Sequence, residues 1–345
     1  ILQACPLDHA VRIAEKVREA IAKLRFGWQG KQFSIGVSIG LVLAPGKGQD
    51  LGALLAAADA ACYAAKEAGR NRVHVLQPDD TQVLAQRGQM QWVTRLNAAL
   101  DADRLRLYVQ PVLPLQGDAQ ASPHFEILVR LDEDGQIIPP GAFLPAAERY
   151  GLMPRIDQWV VDNTLSWLGD RLRQQGRVDG LYAINLSGAS LSDERFRQTL
   201  RATLQKMKLP PGLLCFEITE TAAVANLSKV VQFIEEVKAL GCLFALDDFG
   251  SGLSSFAYLK NLPVDFLKID GSFVKDIADD PMDLAMVQAI NAIGHVMGLK
   301  TIAEYVCSQA VLERLREIGV DYGQGFHLGA PRPLAELGSV RLMPR

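Results

Sequence analysis

Oxygen-bearing side chains recur at the ends of short apolar runs across the second two-thirds of the sequence. They are Glu126, Asn185, Glu217, the adjacent pair Asp247 and Asp248, Asp270, Glu304 and Gln324, and Lys268 stands among them. Carboxylate and amide oxygens are typical ligands of the hard cations Mg²⁺ and Mn²⁺, whereas Zn²⁺ favours thiolate and imidazole. The five histidines show no metal-ligand spacing. The pattern therefore predicts a site for Mg²⁺ or Mn²⁺.

The adjacent carboxylates Asp247 and Asp248 favour two metals, because a bend at the strand end directs one to both cations and the other to the second cation alone. Two metals about 4 Å apart clamp a phosphodiester, lower the pKa of a bridging water and offset charge on the leaving oxygen. Lys268 would orient that water or stabilise the charged transition state. Taken alone, these residues predict a metal-dependent phosphodiesterase or phosphatase.

Eight apolar runs, separated by helical segments, must position these groups. They lie at 105–113, 125–131, 181–186, 213–218, 243–246, 266–269, 300–303 and 322–328. This alternation predicts an α/β fold, a (β/α)8 barrel of the TIM type, whose C-terminal strand ends meet at one mouth. A single acidic residue at a strand end is more often a helix cap or a solvated loop residue. Repeated around a barrel, five carboxylates at one mouth repel one another unless cations bind.

The first part of the chain follows a different pattern. An amphipathic helix begins near Asp8, its expected N-cap, and residues 33–41 alternate as one strand with a closely covered face of small residues. An Ala-rich helix at 51–68 and a strand at 72–76 follow, and 79–102 predicts one long polar-faced helix. We expect an α/β domain at 1–76, a linker helix at 77–103 and the barrel at 104–345.

Composition limits the class of protein. The 345 residues, 49% of them hydrophobic, suffice for two sizeable cores. A formal net charge of −3, with both signs interspersed, argues against binding of a nucleic-acid polymer. Five cysteines without a CxxC pair indicate a reducing, cytoplasmic setting. No apolar run approaches the roughly 20 residues that cross a bilayer, so the piece is expected to be soluble, with tethering of a longer protein left open.

From about residue 105 to 333 the sequence resembles the EAL family of cyclic di-GMP phosphodiesterases. The motif that names the family stands here as Glu126-Ile127-Leu128, preceded by Gln110-Pro111 and followed by Arg130. Further blocks match in order: Asn185-Leu186-Ser187, Glu217 with Thr219-Glu220, Asp247-Asp248-Phe249-Gly250, Lys268-Ile269-Asp270, Ala303-Glu304 and Gln324-Gly325. Such an ordered series is highly specific.

The resemblance implies roles for individual residues. Glu126, Asn185, Glu217 and Asp247 would hold one metal, and Asp247, Asp248 and Glu304 the other. The implied catalytic residues are Lys268, Glu304 and Glu126, and the implied substrate contacts are Gln110, Leu128, Arg130, Asp270, Gln324 and Pro331. Glu220 would brace the loop from Gly250 to Ser255. The first barrel strand is expected to be antiparallel.

The reaction implied by the resemblance opens one phosphodiester of cyclic di-GMP to give linear pGpG. It would use two Mg²⁺ or Mn²⁺ per barrel, with Ca²⁺ as an inhibitor of looser geometry. We also expect a homodimer formed through the barrel and a sensory domain upstream of this chain.

Residues 1–76 resemble the C-terminal part of a GGDEF diguanylate cyclase domain. The matching blocks are Ser38-Ile39-Gly40, Asp59 to Tyr63, Ala65-Lys66 and Gly69-Arg70-Asn71-Arg72. The signature strand and turn are absent from these residues, so we expect no cyclase activity from this chain.

Two departures from the EAL pattern adjoin Glu304. Where the family usually has Ala-Glu-Gly-Val-Glu, this chain has Ala303-Glu304-Tyr305-Val306-Cys307. Loss of the outer carboxylate at Cys307 is expected to leave turnover reduced or normal. We expect Cys307 to be a buried packing residue rather than a redox thiol. His327, just past Gln324, is expected to be a hydrogen-bonded structural residue rather than a guanine contact.

Two other functions compete with an active phosphodiesterase. A catalytically weak or inactive receptor module would bind cyclic di-GMP and signal to a partner, but such relatives usually lack several metal ligands and this chain lacks none. A barrel that hydrolyses glycerophosphodiesters would also use oxygen-ligated metals, yet Asn185 and Lys268 in their motifs argue against it. The leading hypothesis is an active enzyme that receives regulatory input through the linker helix.

Overall fold

A computed structural model of the chain describes residues 5–28, 31–34, 36–43, 71–76, 92–116, 123–250 and 256–338, and the isolated residues 2, 58, 61, 62 and 65. The chain divides into two compact units, 1–97 and 98–345. This division falls inside the predicted linker helix, of which 92–101 are described and helical (α2), while 77–91 lie outside the described residues. None of the described helices combines the length and apolar composition that would span a bilayer.

The first unit contains one described helix of full length and two small sheets. Helix α1 spans Leu7–Lys23, with Pro6 at its N-cap and Asp8 in its first turn, so Asp8 is not the cap that the sequence predicts. The single strand expected at 33–41 is also wrong. Strand β2 (Lys31–Ser34) pairs antiparallel with β1 (Arg25–Trp28), whereas β3 (Ile39–Leu41) pairs parallel with β4 (Val73–Val75) in another sheet.

The close cover predicted over the small residues is present at Gly40. A Cβ atom there would lie 2.3 Å from the backbone nitrogen of Cys62, so no larger residue fits. The predicted helix at 51–68 is helical at its described residues, which are 58, 61, 62 and 65. Most of the blocks that resemble the GGDEF domain at 59–70 lie outside the described residues.

The second unit is a closed barrel of eight strands. These are β5 (Leu105–Pro114), β6 (His124–Glu133), β8 (Leu181–Leu186), β9 (Leu214–Thr219), β10 (Leu243–Phe249), β11 (Phe266–Ile269), β12 (Lys300–Ala303) and β13 (Tyr322–Gly323). β5 pairs antiparallel with both β6 and β13, and the other neighbours pair in parallel. The predicted TIM-type barrel with an antiparallel first strand is therefore confirmed. β7 (Gln136–Ile138) extends the sheet beside β6, and β14 (Arg332–Pro333) lies beside β5.

Helices connect the parallel strands. They are α3 (Leu144–Arg149), α4 (Met153–Gln175), α5 (Gly188–Ser192), α6 (Glu194–Met207), α7 (Glu220–Ala225), α8 (Leu227–Lys238), α9 (Gly271–Val274), α10 (Pro281–Val296) and α11 (Gln309–Ile318). Short 3-10 turns lie at Pro140–Ala142, Phe256–Asn261 and Leu334–Gly338. Several helices begin at side chains that accept backbone N–H groups, such as Asp193 before α6 and Ser308 before α11.

Apolar side chains fill the end of the barrel at which the parallel strands begin. The buried cluster there comprises Val112, Leu181, Ala183, Cys215, Ala245, Phe266 and Ile302. The ring of His124 stacks on Tyr322 with centroids 4.5 Å apart, and burial lowers the pKa of His124 to about 4. A neutral imidazole at neutral pH is compatible with this apolar layer. The polar interior groups are consequently confined to the opposite end, the mouth.

Candidate active site

The predicted polar residues converge at the mouth, where the parallel strands end. Glu126, Asn185, Glu217 and Lys268 lie on β6, β8, β9 and β11, and both Asp247 and Asp248 lie within β10. Glu304 follows β12, Gln324 follows β13, and Gln110 of β5 lies opposite Glu126. A cavity of about 310 Å³ opens here, lined by Gln110, Glu126, Gly271, Glu304, Tyr305, Val306, Cys307, Gln324, Gly325 and Phe326.

The ammonium of Lys268 joins three carboxylates at the floor of the mouth. Its Nζ lies 2.8 Å from Glu217 Oε2, 3.0 Å from Asp247 Oδ1 and 2.8 Å from Glu304 Oε1, and the side chain is only 1% exposed. Burial alone would lower the pKa of Lys268, but the surrounding carboxylates raise it well above its usual value. Lys268 is therefore a permanent cation that partly neutralises the acidic cluster.

An amide network fixes Glu126. Asn185 Nδ2 donates to Glu126 Oε1 at 2.6 Å, and Gln324 Nε2 donates to Glu126 Oε2 and to Gln110 Oε1. Gln110 Nε2 in turn donates to the carbonyl of Gly329 at 2.9 Å. The buried Oε1 of Gln324 accepts no hydrogen bond within the described part of the chain. Since buried polar atoms are nearly always paired, this oxygen indicates a ligand or water in the mouth.

Two of the carboxylates that Lys268 contacts form, with Asp248, a cluster that fits a divalent cation. Oxygen atoms of Asp247, Asp248 and Glu304 all lie within 4.8 Å of one another. Burial, with repulsion from Asp247 and other carboxylates, raises the pKa of Asp248 to about 6 and that of Glu304 to about 8. Glu217 is raised well above its ordinary pKa for the same reasons. A bound cation would relieve this repulsion and hold the carboxylates ionised.

The backbone bends at Asp248 to bring the two aspartates into the same cluster. Asp248 has a left-handed φ of +55°, and its N–H donates to Asp247 Oδ1 at 3.0 Å. Non-glycine residues seldom adopt this conformation, and such strain concentrates at functional sites. The bend that the sequence predicts between the two aspartates is present, although it lies inside β10 and not beyond its end.

Glu220 connects the ends of two neighbouring strands. It begins α7 directly after β9, is 4% exposed, and its Oε2 accepts the N–H of Gly250 at 3.1 Å, just after β10. Burial, with the adjacent Glu220 carboxylate, raises the pKa of Tyr258 above its ordinary value. Residues 251–255 lie outside the described residues, so bracing of that loop by Glu220 stays a prediction.

The residues predicted to contact substrate are only partly brought together. Gln110 and Gln324 line the cavity, whereas Leu128 and Arg130 follow Glu126 at alternate positions of β6. Asp270 accepts the N–H of Ser272 at 2.7 Å as the N-cap of α9, and the half-buried Pro331 directly precedes β14. Of the described lining of the cavity, Leu128, Arg130, Asp270 and Pro331 form no part.

The two departures from the EAL pattern both line the cavity. Tyr305 is 59% exposed and has a left-handed φ of +58°. A Cβ atom added to Gly271 would lie 2.7 Å from the Cβ atom of Tyr305. The family pattern has glycine at the position of Tyr305, and glycine adopts this left-handed conformation without strain. Cys307 is exposed, which contradicts the expected burial. His327 is exposed, with Nε2 3.2 Å from Gln309 Oε1, in agreement with the hydrogen-bonded position expected for it.

Sequence comparison shows which families and proteins this chain resembles. The family described as EAL domain matches residues 93–331, and the family described as diguanylate cyclase, GGDEF domain matches residues 1–72. The chain is 38% identical over 330 residues to the cyclic di-GMP phosphodiesterase PdeB of Shewanella oneidensis, covering 94% of this chain and 38% of that protein. It is 36% identical over 338 residues to the bifunctional diguanylate cyclase/cyclic di-GMP phosphodiesterase MucR of Pseudomonas aeruginosa, covering 96% of this chain and 48% of MucR. The chain thus spans less than half the length of these two relatives.

Solved structures with the same fold carry a bound cyclic dinucleotide. The MucR phosphodiesterase in complex with c-di-GMP matches with a TM-score of 0.65 and 36% identity, covering 72% of this chain and 99% of that one. The FimX EAL domain of Pseudomonas aeruginosa bound to c-di-GMP matches with a TM-score of 0.63 and 34% identity, covering 70% of this chain and 96% of that one.

Proposed function

The chain belongs to the EAL domain family, and on this premise we propose that it hydrolyses cyclic di-GMP to linear pGpG using two Mg²⁺ or Mn²⁺ at the barrel mouth. The observation that carries the proposal is the convergence of Asp247, Asp248 and Glu304 within 4.8 Å of one another beside the buried Lys268. A cluster of this kind is costly unless cations bind, and its oxygen ligands suit hard cations.

The metal-binding residues divide into two overlapping sets. Glu126, Asn185, Glu217 and Asp247 would hold one cation, and Asp247, Asp248 and Glu304 the other. When bound, such cations supply charge to the phosphodiester oxygens and lower the pKa of a coordinated water. Asn185 and Gln324 hold Glu126 through their amide donors, so its carboxylate has a fixed orientation.

Lys268 acts at the centre of the site. Its three contacts hold Glu217, Asp247 and Glu304 in place, and in the metal-free chain these carboxylates raise the pKa of Lys268. The ammonium would orient the attacking water or stabilise negative charge that develops on the phosphoryl oxygens.

The cavity suits a nucleotide as the substrate. Two aromatic side chains at the cavity, Tyr305 and Phe326, are 59% and 75% exposed, an arrangement on which planar bases stack. The matched MucR and FimX structures contain bound c-di-GMP. Gln110, Gln324, Arg130, Leu128, Asp270 and Pro331 are the proposed contacts to its bases and phosphates.

Chromatography of the reaction products tests the proposal. With Mg²⁺ or Mn²⁺ the chain should convert cyclic di-GMP to pGpG, and Glu126→Ala should abolish conversion. Glu235→Gln, at an exposed position of α8, is the matched control and should leave turnover unchanged. Tight binding of intact cyclic di-GMP without any pGpG would instead identify a receptor module.

Three further proposals concern the inhibitor, assembly and context of the chain. Excess Ca²⁺ should inhibit, because it binds oxygen ligands with looser geometry than catalysis requires; a rate insensitive to Ca²⁺ would refute this. The family resemblance implies a homodimer formed through the barrel, which light scattering of the chain tests. It also implies regulation by an upstream sensory domain, with the barrel working in the cytoplasm.

A further inference from the structure

Asp157 is a buried carboxylate for which the proposed reaction has no role. It lies on α4, is 5% exposed, and does not line the cavity. Its Oδ2 accepts two hydrogen bonds, from the backbone N–H of Ser187 at 2.9 Å and from Ser190 Oγ at 2.6 Å. Burying a carboxylate is costly even when it is hydrogen-bonded, so its presence here indicates a requirement for position.

The two serines belong to the turn that leaves β8. Ser187 directly follows this strand, and its Oγ accepts the N–H of Ser190 at 3.2 Å to start α5. Asn185 precedes Ser187 by two residues and is exposed in the mouth, where it bonds Glu126 at 2.6 Å. Few neighbouring atoms pack against the exposed Asn185 side chain. Its position therefore depends on the backbone to which Asp157 is hydrogen-bonded.

Helix α4 is itself anchored on either side of Asp157. The guanidinium of Arg155 lies 3.1 Å from Asp101 Oδ1, and the indole N–H of Trp159 donates to Asp103 Oδ1 at 2.9 Å. These contacts join α4 to the last residue of α2 and to the turn between α2 and β5, within the barrel unit. Asp157 therefore holds the end of β8 from a helix that is itself tied to the barrel.

We infer that Asp157 is a positioning residue for the metal ligand Asn185. By holding the backbone of Ser187, it sets the distance between the Asn185 amide oxygen and the carboxylates of Glu126 and Glu217. Metal sites are sensitive to this kind of outer support, whose loss commonly weakens metal binding 10- to 100-fold. The inference rests on the proposed function, because it takes Asn185 to be a ligand.

Calorimetric titration of the metal-free chain with Mn²⁺, in the absence of nucleotide, tests the inference. Asp157→Ala removes the acceptor of both bonds and should weaken Mn²⁺ binding about tenfold. Ser190→Ala removes one of the two bonds and keeps the carboxylate, so it should weaken binding in the same direction by a smaller factor. Ser190→Ala also decides the question if Asp157→Ala does not fold.

The matched control is Asp265→Ala at the opposite end of the barrel. Asp265 accepts the N–H of Phe244 at 2.9 Å and binds Lys238 at 2.7 Å, so it too is a carboxylate that grips a strand. This variant should melt at a lower temperature than the unsubstituted chain but bind Mn²⁺ equally well. Equal weakening by Asp265→Ala would show that loss of stability alone explains the effect, and would overturn the inference.

A double-mutant cycle shows whether Asp157 acts through Asn185. In an Asn185→Ala background, Asp157→Ala should cause no additional weakening of Mn²⁺ binding, because the positioned ligand is already gone. Additive effects, or unchanged Mn²⁺ affinity in a folded Asp157→Ala or Ser190→Ala variant, would overturn the inference. Failure of the unsubstituted chain to bind Mn²⁺ would instead refute the proposed function itself.

Discussion

The buried ammonium of Lys268 holds together three carboxylates that would otherwise repel one another. Lys268→Met leaves these acids without their cation, and breaking a buried ion pair typically costs 3–5 kcal/mol. We expect the variant to lose about 3 kcal/mol of unfolding free energy without metal, and to lose turnover at least 100-fold. Urea unfolding and the rate of pGpG formation measure the two effects.

Lys238→Met is the matched control for this prediction. Lys238 also binds an aspartate, with Nζ 2.7 Å from Asp265 Oδ1, but both side chains are 28% exposed and lie away from the mouth. A partly exposed pair contributes about 1 kcal/mol or less. The control should therefore lose little stability and no activity, and an equal loss in both variants would contradict the special position of Lys268.

The left-handed backbone of Tyr305 costs free energy that glycine would not require. A non-glycine residue in this conformation is destabilised by about 1–2 kcal/mol, and the exposed ring regains little through packing. Tyr305→Gly should be about 1 kcal/mol more stable than Tyr305→Ala, which keeps the strain and loses the ring. Chemical denaturation compares the two, and a more stable alanine variant would contradict the strain argument.

The same pair of variants reports on substrate binding. If a base stacks on Tyr305, both variants should raise KM for cyclic di-GMP about tenfold or more, since each base–aromatic stack contributes about 1–3 kcal/mol. Tyr305→Phe keeps the ring and should retain the KM of the unsubstituted chain.

The chemical groups of the site could be predicted from the sequence, but their mutual contacts could not. Glu126, Glu217 and Lys268 could be recognised because polar residues are rare inside apolar runs, although Glu126 is the third of the ten residues of β6 and does not lie at its end. That Lys268 bonds three carboxylates depends on the closure of the barrel, which brings β9, β10, β11 and the segment after β12 to one point. Asp157 had no such signal, since it looks like any polar residue of an amphipathic helix.

At the scale of the elements, the sequence predicted strands best where apolar runs are bounded on both sides by turns. The runs at 181–186, 266–269 and 300–303 match β8, β11 and β12. The strand predicted at 322–328 is wrong beyond Gly323, because the chain leaves the sheet there. The N–H of His327 donates to the carbonyl of Val306 at 3.1 Å, and the N–H of Leu328 donates to the carbonyl of Gly325 at 3.0 Å. A Cβ at Gly325 would lie 2.3 Å from Val306, a tertiary constraint that hydrophobicity does not reveal.

The contact of Glu220 with Gly250 links the elements that carry Glu217 and Asp248. Glu220→Ala removes the acceptor of the Gly250 N–H, so the end of β10 should shift relative to β9. We expect turnover to fall about tenfold, a loss typical of a support that lies outside the ligand set. Glu220→Gln keeps an acceptor oxygen and should retain most of the activity; steady-state rates at saturating Mg²⁺ compare the variants, and full activity of Glu220→Ala would contradict the link.

At the scale of the whole barrel, apolar and ionisable groups are separated between its two ends. The end filled by Phe266, Leu181 and Ile302 anchors the strands, while the mouth collects carboxylates whose burial opposes folding. The sequence indicated the apolar residues and the carboxylates, but not that they occupy opposite ends of the barrel. That separation follows from which positions of each strand face inward. The metal-free barrel should therefore be stabilised by whatever neutralises its mouth, either protons or cations.

The pH dependence of stability follows from the raised carboxylate pKa values. The pKa of Glu304 is raised to about 8 in the folded chain from 4.5, so folding binds a proton at neutral pH, and this stabilisation is lost as pH rises through 8. His124, with its pKa lowered from 6.5 to about 4, opposes this trend only below about pH 6.5. Metal-free chain should consequently melt at a lower temperature at pH 8.0 than at pH 7.0, by about 2–4 °C if the loss is about 1 kcal/mol.

Cations should reverse this order, since Mg²⁺ or Mn²⁺ binds the ionised carboxylates and competes with protons. With excess Mg²⁺ the melting temperature should rise from pH 7.0 to 8.0. Glu304→Gln removes the group that titrates and should flatten the metal-free dependence, which separates Glu304 from other titrating groups. Scanning calorimetry at the two pH values, with and without Mg²⁺, measures all three effects. A metal-free chain that becomes more stable towards pH 8.0 would contradict the prediction. It would show that the mouth carboxylates are already ionised and held by Lys268 alone.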